Sequence, residues 1–292
     1  MLTVSHDGLD LDIANGVKYL EQAAEQDEIR ALMQLAQLFR EGKHLPKNSQ
    51  KAIDYYTRAA KLGHLSAQEL LALVNLNGED VEGDPIAAVQ WLQMAATNGS
   101  QQGKHILAQC YRMGLGVDQD NEQARKLCEE LFADGYMEVT VTLGEDYLFG
   151  VGGDKDYGKA AELLRRGAEL GDHRANYLLG MLYEQAWGVT KNLKQASEYY
   201  LLAANAGQPE AEVKIGDMLR DGTHYKQSNA TALQWYQRAA RRDHPAAMTR
   251  MGFMYENGLA VQRDLVEAVT WYLKAADAGE TWAQQHLQEL DR

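Results

Sequence analysis

Eight histidines, two cysteines and 42 acidic residues are the groups in this 292-residue chain that could bind a metal, attack an electrophile or move a proton. None of the histidines forms His-x-x-x-His or His-Glu-x-x-His, and no pair falls at metal-ligand spacing. His64 and His244 share one place in a 36-residue pattern, and His44 and His224 share another. Recurrence explains these positions better than ligation, so each histidine is read as structural or solvated. Cys110 stands where other units carry Leu38, Val74, Leu182 and Met218, which makes it a small core hydrophobe.

The loops hold only formal likenesses to chemical motifs. VGGDKDYGK, residues 151–159, lacks the GxxxxGK[ST] order of a phosphate loop and follows no strand. DQDNE at 118–122 lacks the sixth-position glycine and twelfth-position glutamate of a calcium loop. NGS at 98 and NAT at 229 match glycosylation acceptors in a chain with no secretory signal. No nucleophile, base and orienting group come together. The sequence therefore predicts no catalytic residue, no metal, no cofactor and no enzyme. The competing reading, a metal-dependent sensor or enzyme using the histidines, requires bound metal.

What the residue types do show is a period. AIDYYTRAAKLG from 52, AVQWLQMAATNG from 88, ASEYYLLAANAG from 196, ALQWYQRAARRD from 232 and AVTWYLKAADAG from 268 repeat one design. The leading small residues Gly16, Ala52, Ala88, Ala124, Ala160, Ala196, Ala232 and Ala268 stand 36 apart with no insertion. Apolar or small residues 0, 3, 4, 7 and 8 places on form one helical stripe, the second helix of a pair. A first helix precedes it, built on Ala31, Ala67, Gly103, Val139, Ala175, Ala211 and Ala247, with an aliphatic four residues later and a small residue beside that. Gly42, Gly78, Gly114, Gly150, Gly222 and Gly258 suit left-handed stops of the first helix. Asn48, Asp84, Asp120, Asp156, Asn192 and Asp264 suit caps of the second. Each unit leaves an apolar face that only its neighbour covers, so the fold is an all-α solenoid of stacked helix-turn-helix units. Residues 1–27 form an N-terminal segment with a half-repeat helix at about 12–26, residues 28–279 seven full repeats, and residues 280–292 a capping helix with a polar outer face.

Composition agrees: hydrophobic content is 45% and proline is scarce at 4 residues. The formal charge of -13 repels nucleic acid and favours a basic protein partner. Two cysteines make no disulfide framework, and no basic leader or 18-residue apolar run is present, so the chain reads as cytoplasmic, with no membrane partner.

MGFMYENGLAVQRDLVEAVTWYLKAADAG, residues 251–279, resembles a Sel1-like repeat, a family related to the tetratricopeptide repeats. The same pattern is matched at 107–135, 143–171 and 179–207, and the resemblance covers about residues 14–287. It implies a right-handed superhelix whose first helices line a concave face and a role in recruiting other proteins. Some similar bacterial proteins neutralise a toxin as its immunity partner, which is the alternative function. A cysteine-rich branch of the family bridges helices at positions held here by Ala60 and Ala67, so those disulfides cannot form. The unit at 208–243 departs in its loop, DGTHYKQSNAT, and has Leu219 in place of Tyr. Leu131, Phe132 and the run Val139-Thr140-Val141-Thr142 predict an irregular junction at 131–142, with altered curvature.

Carried onto this chain, the related tetratricopeptide geometry places the concave positions 3, 6, 10, 13 and 14 residues after each unit's terminal Gly or Asp. Those positions include Leu73, Leu76, His105, Arg112, Met113, Glu145, Leu148, Phe149, Tyr177, Met181, Glu184, Asp217, Arg220, Phe253, Glu256 and Trp282. Phe149, Tyr177 and Met181 are the expected anchor, because clustered exposed aromatic and Met side chains hold partners. The groove acids add negative charge, so the expected ligand is a basic segment or helix. Self-association through the N-terminal half-unit is a third reading.

Overall fold

The computed structural model describes residues 6–78 and 82–290, with side chains from Ala14 onward. Sixteen α-helices and one 3-10 turn account for the regular structure, with no strand among the described residues. The chain divides into two compact units, Met1–Val139 with Val151–Gly153, and Thr140–Gly150 with Asp154–Arg292.

The first unit carries α1 (His6–Glu25), α2 (Ile29–Glu41), α3 (Ser49–Lys61), α4 (Leu65–Asn77), α5 (Pro85–Thr97), α6 (Gln101–Met113), α7 (Asn121–Ala133) and the 3-10 turn Met137–Val139. The second carries α8 (Thr140–Phe149), α9 (Tyr157–Glu169), α10 (His173–Gln185), α11 (Leu193–Asn205), α12 (Pro209–Asp221), α13 (Asn229–Ala240), α14 (Pro245–Asn257), α15 (Leu265–Asp277) and α16 (Thr281–Leu290). Each unit is a stack of helix-turn-helix repeats, the α-solenoid that the period requires. The half-repeat helix begins at His6, six residues before the expected start at 12.

The caps explain why the helices start and stop where they do. The side chains of Asn48, Asp84, Asp120, Asp156, Asn192 and Asp264 all accept backbone N–H groups of the helix that follows. Ser228 does the same for α13 in the divergent unit, a cap the sequence reading missed. The six glycine stops lie at φ between 65° and 75°, and Ala186 takes the seventh place at 58°. Where the first helix has no side-chain cap, in α12 and α14, a proline opens it instead and removes one orphan donor.

The junction is irregular, as its sequence indicates. The 3-10 turn replaces the first helical turn, and α8 has 10 residues where the other first helices α2, α4, α6, α10, α12 and α14 have 13. Gly167 of α9 answers the β-branched residue packed on it: a Cβ there would fall 2.6 Å from Val141 Cγ2. Ala59, Ala95, Ala203, Ala239 and Ala275 hold the equivalent place in five other repeats and Leu131 holds it in α7, all buried.

Candidate functional site

Three first helices of the second unit, α10, α12 and α14, meet the second helices α11, α13 and α15 through one recurring contact. Tyr200, Tyr236 and Tyr272 are fully buried and lie flat against a first-helix glycine. A Cβ on Gly180, Gly216 or Gly252 would stand 2.4 to 2.5 Å from the ring, so only glycine admits it. Each ring's hydroxyl reaches the edge of the first-helix face and donates to a carboxylate there. Tyr200 donates to Glu184 at 2.7 Å, Tyr236 to Asp217 at 2.8 Å and Tyr272 to Glu256 at 2.7 Å.

A base one repeat later completes each rung. Lys214 Nζ lies 2.8 Å from Glu184, Arg250 Nε 2.8 Å from Asp217, and His286 Nε2 3.1 Å from Glu256. Lys214, Arg250 and His286 stand 36 residues apart, as do the three tyrosines. The acids do not keep that register. Arg220 occupies the place of Glu184 and Glu256, and the carboxylate moves back one helical turn to Asp217, where Met181 and Phe253 stand in the flanking repeats. Positions three apart share a helix face, so the acid still meets its tyrosine and base. The displaced Arg220 pairs with Asp221 at 2.7 Å and lies over the Phe253 ring at 5.6 Å.

The electrostatics follow from burial. Burial, reinforced by the adjoining carboxylate, pushes the Tyr200, Tyr236 and Tyr272 hydroxyls well above the ordinary tyrosine range. Burial also pushes Glu184 upward, but the hydrogen bonds from Lys214 and Tyr200 outweigh it and hold the carboxyl below its usual value. Thus the tyrosines remain donors and Glu184 an acceptor at neutral pH.

The residues named from sequence divide into three kinds. Phe149 is 46% exposed, Trp282 45%, Leu73 43% and Met113 60%, all on first helices. Tyr177 and Met181 are half-buried against the core shared with Tyr200, and the Arg174 guanidinium lies 5.6 Å above the Tyr177 ring. Leu76, His105 and Arg112 are also half-buried. The His105 ring meets Tyr136 edge-on at 5.5 Å, and burial lowers its basicity. The Arg112 carbonyl accepts from Gln119 at 2.9 Å.

Leu148 differs from expectation: it is 1% exposed and belongs to the core, with no surface to offer. Its repeat position is that of Glu184, but the matching tyrosine and lysine positions hold Leu164 and Leu178, both buried. With no hydroxyl or cation to satisfy, this rung is apolar and sinks inward. The groove acids also differ from a free negative surface. Glu184, Asp217 and Glu256 are consumed by their rungs, and Glu145 pairs with Arg174 at 2.9 Å.

The described residues contain no group of three or more His, Cys, Asp or Glu that could hold a metal. Cys110 and Cys128 are buried and not joined in a disulfide, and burial pushes the Cys110 thiol upward, away from the reactive thiolate. His64 serves as the N-cap of α4, its Nδ1 accepting from the Ala67 N–H at 3.3 Å. No described helix is long and apolar enough to cross a membrane.

Comparison with known proteins places this architecture. No curated protein matches. The structure is similar to c5321, a protective antigen of uropathogenic Escherichia coli strains that displays an SLR fold, at 29% identity and TM-score 0.76. That match covers 94% of this chain and 59% of the other, so the chain spans well under two thirds of c5321. It is also similar to a Sel1 repeat protein from Oxalobacter formigenes, at 27% identity and TM-score 0.76, covering 96% of this chain and 81% of that one. The Sel1 repeat profile matches residues 5–28, 29–64, 65–100, 103–136, 143–172, 173–208, 209–244 and 245–280. With eight repeats filling most of its length, the chain belongs to the Sel1-repeat family.

Proposed function

We propose that the chain is a non-catalytic adaptor that holds a protein or peptide on its first helices. Solenoids of Sel1 repeats mediate protein–protein interaction. The observation that carries the reading to this face is its exposed apolar side chains. Leu73, Met113, Phe149 and Trp282 each stand at least 43% exposed on first helices whose core stripes are already complete. Each still leaves 43 to 60% of its surface in water, and a partner that covers that remainder gains its transfer energy.

Phe149 is the anchor of this reading, with Tyr177 and Met181 as its half-buried companions. The basic character of the partner rests on the formal charge of -13, which steers a cationic segment toward the chain. The groove acids Glu145, Glu184 and Asp217 add little to it, because each is paired with a cation within the fold. The immunity function would use the same face with a toxin as client.

The test is capture from lysate of the source organism by wild type and by Phe149→Asp and Tyr177→Ala variants, with clients identified by mass. Phe149 is exposed, so its variant should fold as wild type does. A client bound by wild type and lost from both variants would support the reading and distinguish adaptor from immunity partner. Equal capture by all three would move the working surface elsewhere.

A further inference from the structure

Outside the first-helix face, the second unit has an open cavity of about 720 Å³ on its loop side. Its lining comes from α9, the end of α10, the loop 186–192 and the start of α11. The volume lies within the range of natural ligand sites. Two cations, Arg165 and Lys191, line it with Thr190, Asn192, Gln195 and Tyr183, and no carboxylate does.

Arg165 is set apart from its repeat equivalents, and Lys191 differs from some of its own in what it bonds. Position 165 is the only arginine of its column, whose other members are Glu21, Thr57, Gln93, Glu129, Leu201, Gln237 and Leu273. Lys191 shares a column with Lys47, Gly83, Gln119, Lys155, Gln227 and Arg263. Of these, Gln119, Gln227 and Arg263 close the first helix by donating to the carbonyls of Arg112, Arg220 and Glu256 at 2.8 to 2.9 Å. Lys191 makes no such bond, and neither it nor Arg165 has a hydrogen bond or ion pair among the described residues. Glu169 and Glu198 lie close enough to act on Tyr199 alongside Arg165, yet neither lines the cavity. Thus a chain of strongly negative formal charge keeps two unpaired cations facing one acid-free cavity.

We infer that this cavity binds a carboxylate side chain of an acidic protein segment. Arg165 supplies a planar fork for the carboxylate, Lys191 a second point charge, and Thr190 and Gln195 neutral hydrogen bonds. That the carboxylate comes from a protein rests on the adaptor reading; the site itself rests on the cavity and its cations. It lies on the loop side, so one partner could present apolar groups to the first helices and an acidic segment here.

The whole chain would be titrated calorimetrically with capped hexaglutamate, capped hexaglutamine and inorganic phosphate. Trp187 stacks on Tyr157 at 5.5 Å between two lining residues, so its fluorescence supplies a second readout. Saturable binding of hexaglutamate is expected, weakened at least tenfold by Arg165→Gln with Lys191→Gln and unchanged by Lys155→Gln. Hexaglutamine should not bind. Hexaglutamate binding that ignores the double substitution, or no binding to wild type, would overturn the site. Phosphate binding as tightly as the peptide, in a manner dependent on both cations, would overturn the protein source and make this a small-oxyanion site. Each of these results leaves the capture test of Phe149 independent, so the two readings fail separately.

Discussion

The rung at Asp217 makes the sharpest test of how this solenoid is held together. Its carboxylate accepts from Tyr236 at 2.8 Å and from Arg250 at 2.8 and 3.3 Å, and lies 3.2 Å from Arg220 Nη1. Asp217→Met removes the acceptor, leaving a buried hydroxyl unsatisfied and two guanidinium groups without their shared anion. A hydrogen bond to a charged group contributes about 1.5 to 3 kcal/mol, and an orphaned buried hydroxyl costs about 1 to 3 kcal/mol. The side chains of Asp217, Arg220 and Arg250 keep 23%, 20% and 35% of their exposure, so water recovers part of the loss. The expected destabilisation is about 2 to 3 kcal/mol.

The flanking repeats supply the rescue. Asp217→Met combined with Arg220→Glu installs the Met181 and Glu184 arrangement in the middle repeat, returning a carboxylate to Tyr236 and Arg250. The double variant should lie within about 1 kcal/mol of wild type, because the two sites are coupled rather than additive. Urea unfolding followed by circular dichroism would give the midpoints, and hydrogen exchange of α12 and α13 amides would localise the effect. A single variant as stable as wild type would refute the rung's energetic role. A double variant as weak as the single would refute the turn-shift explanation.

Three further perturbations test the packing and electrostatics of the repeats. Gly216→Ala should destabilise by about 1 to 3 kcal/mol in thermal melts, since its Cβ would fall 2.4 Å from the Tyr236 ring. Gly16→Ala, with nothing within 4 Å of the added Cβ, should stabilise α1 by about 0.5 to 1 kcal/mol. Equal effects of the two would show that helix propensity, not ring packing, governs these sites. The lowered Glu184 carboxyl makes stability pH-dependent: the unfolded chain takes up its proton first as pH falls. Its contribution is present above the ordinary glutamate value of 4.5 and is lost as pH falls through the lower folded value. Acid unfolding of Glu184→Gln should show a shallower slope in that window, and an unchanged slope would contradict the assignment.

The period, the helix pairs and most caps were legible because they depend on residues near one another in sequence. A stripe of spacing 3 and 4, a left-handed glycine and an Asp before a helix each carry their physics within a few residues. Ser228 escaped because the surrounding loop abandons the glycine-rich pattern, although serine caps as aspartate does. The rungs escaped for another reason. Glu184, Tyr200 and Lys214 meet across 30 residues on three helices, and no single stripe contains them. Their signal is the 36-residue recurrence of Lys214, Arg250 and His286 beside three tyrosines, visible only when columns are read together.

That difference also decides how the candidate face should be understood. Read position by position, Glu145, Glu184, Asp217 and Glu256 look like a negative lining awaiting a basic partner. In the fold they are spent on holding one repeat to the next. The same columns that hold Glu184, Tyr200 and Lys214 hold Leu148, Leu164 and Leu178 one repeat earlier, all buried or nearly so in the leucine set. One chain therefore uses two solutions for one contact, an apolar rung needing no partner and a polar rung needing all three members. A half-changed rung is worse than either, because it leaves a buried hydroxyl or charge unpaired. Charges on this face are thus constrained by stacking, whereas Met113 and Phe149 answer to no rung; Trp282 packs on the Tyr272 and His286 rings of the third rung, at 5.7 and 4.6 Å. Variation tolerated by the fold but felt by a partner should concentrate at those exposed apolar positions.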